Sequence, residues 1–287
     1  MLQAKIGVIG GSGLYDIPGI ENVEEVNVDT PFGKPSDSIT VGKLGGVGVA
    51  FLPRHGRGHR ILPSEIPVRA NIYALKSLGV EHIIAVSACG SFKEEFKPGD
   101  LLIPDQIIDR TSGRVSSFFG DGIVAHALFA QPFCPELSNL LYETGKEVDA
   151  SIHQHGTYLV MEGPVFSTRA ESLLHKSWEV DVIGMTISPE AKLTREAEIC
   201  YACIAGVTDY DCWHETDEPI PIDVIIQTLQ HNTDTIREII SRAIARISDT
   251  RDCDCANALQ TAIVTAPEVI TPEIKKRLDL IIGKYVK

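Results

Sequence analysis

The chain has 287 residues, 44% of them hydrophobic, with a formal net charge of −13 and a pI of about 5.1. That length suits one large α/β domain, and so acidic a surface repels nucleic acid and anionic lipid, so neither is expected as a partner. No apolar run approaches the roughly 20 residues of a membrane helix, and no basic leader with an apolar stretch and cleavage site opens the chain, so the expected location is the cytoplasm.

In chain order, apolar strand-like runs alternate with helical ones. Residues 6–9 predict a short buried strand running into glycines at 10, 11 and 13. Residues 46–53 predict a second strand, which delivers Arg54 and His55 at its end. Residues 64–78 carry apolar side chains at helical spacing, with Ser64 in an N-cap position. His82 begins a buried strand that breaks at Ser87-Ala88-Cys89-Gly90-Ser91. Further strands are predicted over 101–104, 157–161, 181–185 and 201–207, and helices over 136–147, 168–178, 189–199, 222–247 and 272–285. Near-continuous apolar strands separated by helices imply an α/β fold. The expected fold is a single domain over 1–287 with a mixed, mostly parallel twisted sheet flanked by helices. Ligands of such sheets gather at the carboxyl ends of the strands.

The glycine cluster invites comparison with the dinucleotide fingerprint, which needs glycines at i, i+2 and i+5. Gly11 and Gly13 fill two places, but the third falls on Asp16, and no lysine follows as a P-loop requires. What is left is a compact nest of backbone N–H groups around the Ser12 hydroxyl. It suits a small anion such as phosphate, or a plain tight turn. Arg54, His55, Ser87 and Thr186 add a cation and small donors at other strand ends, and together they describe a phosphate site within an acidic protein. Asp209 and Asp211 follow the strand over 201–207 and share a face if the chain stays extended. Two close carboxylates push one pKa up, so one can hold a proton near neutrality and act as an acid. No third ligand with suitable spacing accompanies them, and no metal is expected there.

Seven cysteines in such a chain do not form a secreted disulfide framework. Cys200 and Cys203 have CxxC spacing inside a predicted strand, where alternation points them to opposite faces, so they read as small buried hydrophobes. Cys253-Asp254-Cys255 lies in a polar stretch and stays open between a disulfide, half a zinc site and neither.

Read together and in order, several motifs resemble a known family. They are Gly10-Gly-Ser-Gly-Leu, Asp29-Thr-Pro-Phe-Gly-Lys-Pro-Ser, Arg54-His-Gly, Ser87-Ala-Cys-Gly-Ser, Gln131-Pro-Phe-Cys-Pro, Glu162-Gly-Pro-Val-Phe-Ser-Thr-Arg-Ala-Glu, Met185-Thr with Pro189-Glu, and Thr208-Asp-Tyr-Asp-Cys-Trp. The chain is similar, over about residues 5–247, to the methylthioadenosine phosphorylase branch of the trimeric purine nucleoside phosphorylases. The resemblance implies a homotrimer, or a dimer of trimers. It implies phosphorolysis of S-methyl-5′-thioadenosine to adenine and 5-methylthioribose 1-phosphate, a salvage reaction with phosphate as co-substrate and no cofactor or metal. It also implies phosphate held by Ser12, Arg54, His55, Ser87, the backbone of Ala88, and Thr186. Met185 would lie against the ribose, with Phe166 and Ser167 lining the base pocket. Asp209 would face N7 and the 6-amino group, with Tyr210 and Asp211 beside it. His126 of a neighbouring subunit, Ile222 and Ile225 would meet the methylthio group. The alternative is a 6-oxopurine nucleoside or methylthioinosine phosphorylase, for which Asn at position 209 would be the better match. Cys253-Asp254-Cys255 is similar to a motif of disulfide-bearing thermophilic members.

Overall fold

A computed structural model describes residues 3–11, 14, 18–214 and 222–286, without the side chains of 222–226. Its organising element is the strand β5 (His82–Ser91). The first half of β5 lies between two parallel neighbours, β1 (Ile6–Gly10) and β11 (Cys200–Tyr210). Its last residues pair instead with the antiparallel β10 (Val182–Gly184). Pairing with β1 stops at Ala85 and pairing with β10 starts at Gly90, so residues 86–89 face a gap in the sheet.

The remaining strands extend this frame. Beyond β1 come β4 (Val47–Pro53), β3 (Ile39–Leu44) and the edge strand β2 (Ile20–Val26). Beyond β10 come β9 (Thr157–Val160) and β7 (Gln106–Asp109). A short branch, β6 (Leu101–Ile103) and β8 (Ile152–Gln154), hangs from β11. The sheet is mixed and mostly parallel, as expected. Both faces are covered, which is why β1, β5 and β11 read as continuous apolar runs rather than alternating ones. On one face pack α1 (Val68–Ser77), α4 (Ile187–Glu196) and α6 (Pro272–Ile282). On the other pack α2 (Pro135–Glu147) and α5 (Ile222–Ile244). Cys203 joins the first cluster and Cys200 the second, the opposite-face placement that strand alternation requires.

Several expected boundaries move for identifiable reasons. Ser64 is not a cap: it sits in a short 3-10 turn, and α1 begins only at Val68, after Pro67. Proline forces its predecessor into extended conformation, so a helix cannot run through Ile66. The strand predicted over 201–207 continues to Tyr210, which puts the acid pair on the sheet. Four strands, β2, β3, β7 and β8, had no prediction. β2 is an edge strand with Glu21, Glu24 and Glu25 facing solvent, so it carries no apolar alternation to read. The capping box of α3 (Arg169–Ser177), Thr168 with Glu171, closes as its sequence dictates.

Gly184 lets β10 approach its neighbour closely. A Cβ there would overlap the hydroxyl of Tyr158 and stand 3.1 Å from the Ala88 carbonyl. Gly184→Ala is expected to lower stability by about 1–3 kcal/mol in urea unfolding, the usual cost of overpacking. Adding Tyr158→Phe, which removes the clashing oxygen, is expected to recover part of that loss.

Candidate active site

The gap beside β5 opens into a cavity of about 370 Å³. Ala88 marks it: it is the one exposed residue in an otherwise buried or half-buried strand. Strand residues that face a gap leave backbone groups without sheet partners, and these must be met otherwise. The Val86 carbonyl accepts from Arg54 Nη1 at 2.7 Å, and the Ala88 carbonyl accepts from the Tyr158 hydroxyl at 3.4 Å. N–H and C=O of one strand residue point the same way, so the Ala88 amide shares this edge.

Small donors crowd the same place. The Ser87 hydroxyl lies 2.9 Å from that of Tyr158 and 3.1 Å from that of Thr186, which stands at the N-cap of α4. Arg54, at the end of β4, is 2% exposed, and its charge is met by Glu190 of α4. Nε and Nη2 each donate to a Glu190 oxygen at 3.0 Å, and Nη2 also reaches the Ile9 carbonyl at 3.3 Å. With Val86 counted, four of the five guanidinium N–H groups are engaged. The bidentate fork of Arg54 thus grips Glu190, and one N–H remains for a ligand. His55 lines the same cavity. Its Nδ1 lies 2.9 Å from the Ile61 carbonyl, which can only accept, so Nδ1 carries the proton and Nε2 does not. Burial lowers its pKa to about 4, with the Arg54 charge acting the same way, so the free imidazole is neutral at pH 7. It stacks on His59, another lining residue, at 4.2 Å.

The acid pair lies at the other end. Between Val207 and Asp209 the register of β11 against β5 slips by one residue, leaving Thr208 as a bulge. Bulges re-aim the side chains that follow them. Here Asp209 and Asp211 both line the cavity, opposite Gly90 of β5. A Cβ on Gly90 would come 3.4 Å from Asp209 Oδ2 and 3.6 Å from Asp211 Cβ, so a larger residue would crowd the pair. Burial pushes the Asp209 carboxyl up to about 6, against the Thr208 hydroxyl, which donates to it at 2.6 Å. The Asp211 charge adds to the rise. Asp211 is buried, and its Oδ2 has no hydrogen-bond partner among the described residues.

The other expected site residues divide. Met185 and Phe166 line the cavity, Phe166 at its mouth with 70% of its surface exposed. Tyr210 does not: strand alternation turns it away from its two acidic neighbours, and its hydroxyl donates to the Glu94 carbonyl at 3.1 Å. Ser167 is not a lining residue either; its carbonyl accepts from Cys212 Sγ at 3.3 Å. His126 is exposed and outside the cavity of its own chain, on a segment tied to residues 262–264 by backbone bonds. Ser12 lies outside the described residues, as do the side chains of Ile222 and Ile225; the backbone of both belongs to α5.

Three supporting residues were missed by sequence reasoning. Glu190 holds Arg54, Tyr158 holds Ser87, and Arg114 donates to the Met185 and Ser188 carbonyls at 2.7 and 3.1 Å, fixing the turn that carries Thr186. Only Glu190 left a signal: an arginine at the buried end of an apolar strand requires a counter-charge somewhere in the chain.

This sheet and cleft are those of the phosphorylase superfamily, whose family model matches residues 5–245; the chain belongs to that superfamily. Within it, the chain is 55% identical over 286 residues to the S-methyl-5′-thioadenosine phosphorylase of Geobacter sulfurreducens, spanning 99% of this chain and 100% of that one. It superposes with a TM-score of 0.93 on a methylthioadenosine phosphorylase from an antarctic soil metagenomic library, at 49% identity over 98% of this chain and 99% of the other. A mutant of the Schistosoma mansoni adenosine/methylthioadenosine phosphorylase, crystallised with methylthioadenosine, matches at TM-score 0.82 and 37% identity, over 90% of this chain and 96% of that one.

Glu190→Gln leaves a buried guanidinium without its ion partner. The expected loss is about 3–5 kcal/mol in denaturant unfolding. A loss below about 1 kcal/mol, the range of exposed pairs, would show that Arg54 is compensated from elsewhere.

Proposed function

We propose that this protein cleaves the glycosidic bond of S-methyl-5′-thioadenosine with inorganic phosphate, releasing adenine and 5-methylthioribose 1-phosphate. One observation carries the reading: a single cavity is lined by the Arg54 guanidinium, the hydroxyls of Ser87 and Thr186 and the exposed edge of Ala88, and also by a buried acid, Asp209, a set suited to an anion beside a base. The relatives named above act on or bind this nucleoside, which supports the substrate class.

The chemistry follows from those two ends. The bond from the anomeric carbon to N9 loosens into an oxocarbenium-like state, as in glycoside cleavage. The purine leaves poorly unless N7 takes a proton. With a pKa near 6, protonating Asp209 at pH 7 costs roughly 1–2 kcal/mol, little beside the gain from general acid catalysis. Phosphate then forms the new C–O bond as the C–N bond breaks, and the proton stays on the base. The hydroxyls and the Arg54 N–H position the phosphate and stabilise charge rather than react. Asp211, with an unpartnered oxygen, is suited to accept from the 6-amino group of adenine. The family resemblance assigns Ser12 to the phosphate and Ile222 and Ile225 to the methylthio group, and apolar side chains serve a thioether better than a 5′-hydroxyl. No cofactor is needed.

His126 belongs in this scheme to the site of a neighbouring subunit in a homotrimer. Exposed Val124 and Leu128 flank it, and Leu128 is 86% exposed, which is costly unless a partner covers it.

Phosphate-dependent base release from methylthioadenosine, adenosine, methylthioinosine and inosine tests the substrate. Methylthioadenosine is expected to be fastest; faster hypoxanthine release would overturn the adenine assignment while sparing the phosphate site. Asp209→Asn is expected to lower turnover on methylthioadenosine about 10²–10⁴-fold, the usual span for a general acid. Wild-type kcat/KM is expected to fall about tenfold per pH unit above an apparent pKa near 6, because the required form is protonated. That limb disappears in the asparagine variant, while any limb due to phosphate ionisation persists in both.

A further inference from the structure

Four cysteines meet far from the chemistry just described. Cys134 stands at the N-cap of α2, Cys200 opens β11, and Cys253 and Cys255 flank the start of a short turn after α5. Their sulfur atoms all lie within 4.8 Å of one another. Cys253 Sγ is 3.4 Å from Cys200 Sγ and 3.7 Å from Cys134 Sγ. Four thiolates around one zinc ion, with Zn–S near 2.3 Å, form a tetrahedron with edges of about 3.8 Å. The 3.4 and 3.7 Å separations fall just short of that edge, and no pair is more than 4.8 Å apart.

The geometry points to a structural zinc site closed by Cys134, Cys200, Cys253 and Cys255. Three observations favour one ion over other fates for the thiols. All four are free, and one or two disulfides would have to draw chosen pairs together to about 2 Å, well inside the 3.4 and 3.7 Å separations seen. An ion uses all four without choosing. Second, Cys134, Cys200 and Cys255 are buried and Cys253 half-buried, so the set is closed to substrate, as a structural site is. Third, a zinc-bound tetrathiolate carries a net charge of about −2, and a cation stands beside it: Arg195 Nη1 lies 3.9 Å from Cys255 Sγ. The positive end of the α2 dipole adds to this at Cys134. Sequence spacing left Cys253 and Cys255 open between a disulfide, half a zinc site and neither. Cys200, read as a small hydrophobe, is a ligand here; Cys203, on the opposite face, is not.

The ion would act as a clip. It ties the chain after α5 to the sheet and to α2. That same chain supplies residues 262–264, which pair with 124–126, and then α6, which packs on the α1 face. It takes no part in phosphorolysis.

The full chain, purified with a thiol reductant and no chelator, is expected to hold about one zinc per chain by mass spectrometry of the metal. Cys253→Ser/Cys255→Ser is expected to lose it and Cys203→Ala to keep it. Exchange with cobalt is expected to give the visible bands of a tetrahedral tetrathiolate, and strong chelators to lower the melting temperature of wild type only. Should the double variant fail to fold, the metal content and cobalt spectrum of wild type decide alone. Metal-free protein with all seven thiols titratable, or metal-free protein with thiols lost to disulfides, would overturn the proposal.

Discussion

A buried arginine must be answered by a buried anion, and much of this fold is arranged around that answer. Arg54 and Glu190 are 2% and 1% exposed. Their ion pair joins the end of β4 to α4, and the Tyr201 hydroxyl of β11 donates to the same carboxylate at 2.8 Å. Arg54 also closes the carbonyls of β1 and β5 at the point where those strands part. One side-chain pair therefore fixes five elements around the cavity. Burying such a pair is rarely favourable in itself, since desolvation offsets the attraction. Its presence makes sense if a cation is needed beside the gap in β5, in a protein whose net charge of −13 repels anions. Because Glu190 neutralises most of that charge, what the cavity offers there is a set of directed donors, the remaining N–H, the hydroxyls of Ser87 and Thr186 and the Ala88 edge, more than a net field.

The acid end carries a cost of opposite kind. Asp209 ordinarily titrates near 3.8 and in the fold near 6. A carboxyl raised by folding favours the native state most when protonated. Its ionised form costs stability, and that cost grows as pH rises from about 4 through 6 and stays constant above. At neutral pH the penalty is of order 1–3 kcal/mol. A bulge at Thr208 and a glycine at position 90 maintain this placement, each giving up some strand regularity. A carboxyl that can hold a proton near neutrality arises where water and counter-charges are excluded, and groups so perturbed cluster at functional sites.

How far all this could be read from sequence depends on the range of the interaction. The buried strands, the mixed sheet and the helices at 136–147 and 168–178 were legible, because continuous apolar runs and capping residues act locally. Arg54, Ser87, Thr186 and Asp209 were legible too, since polar residues at the ends of buried strands are conspicuous. What was not legible depends on convergence. Nothing near Ser87 announces that Tyr158 will hold its hydroxyl, and nothing near Arg54 announces Glu190. The two-residue alternation that places Asp209 and Asp211 together also removes Tyr210, but only once the strand is known to continue past Val207. β2 escaped notice because an edge strand facing water needs no apolar pattern. The cysteine cluster draws on three separate stretches of chain, of which only Cys253-Asp254-Cys255 has a local signature.

The gap in the sheet ties the two ends of the cavity together. Had β1 run on beside β5, the amide and carbonyl of Ala88 would be spent on a ladder, and no concave site would exist. β10 enters antiparallel and late, so β5 passes through four residues with one free edge. Along that edge lie hydroxyls and an arginine at the β1 end and the acid pair at the β10 end. A bond that breaks between an incoming anion and a departing base needs those two environments on opposite sides of one carbon. A sheet that changes neighbours partway along a strand supplies them on a single rigid element, where side chains hold position better than on loops.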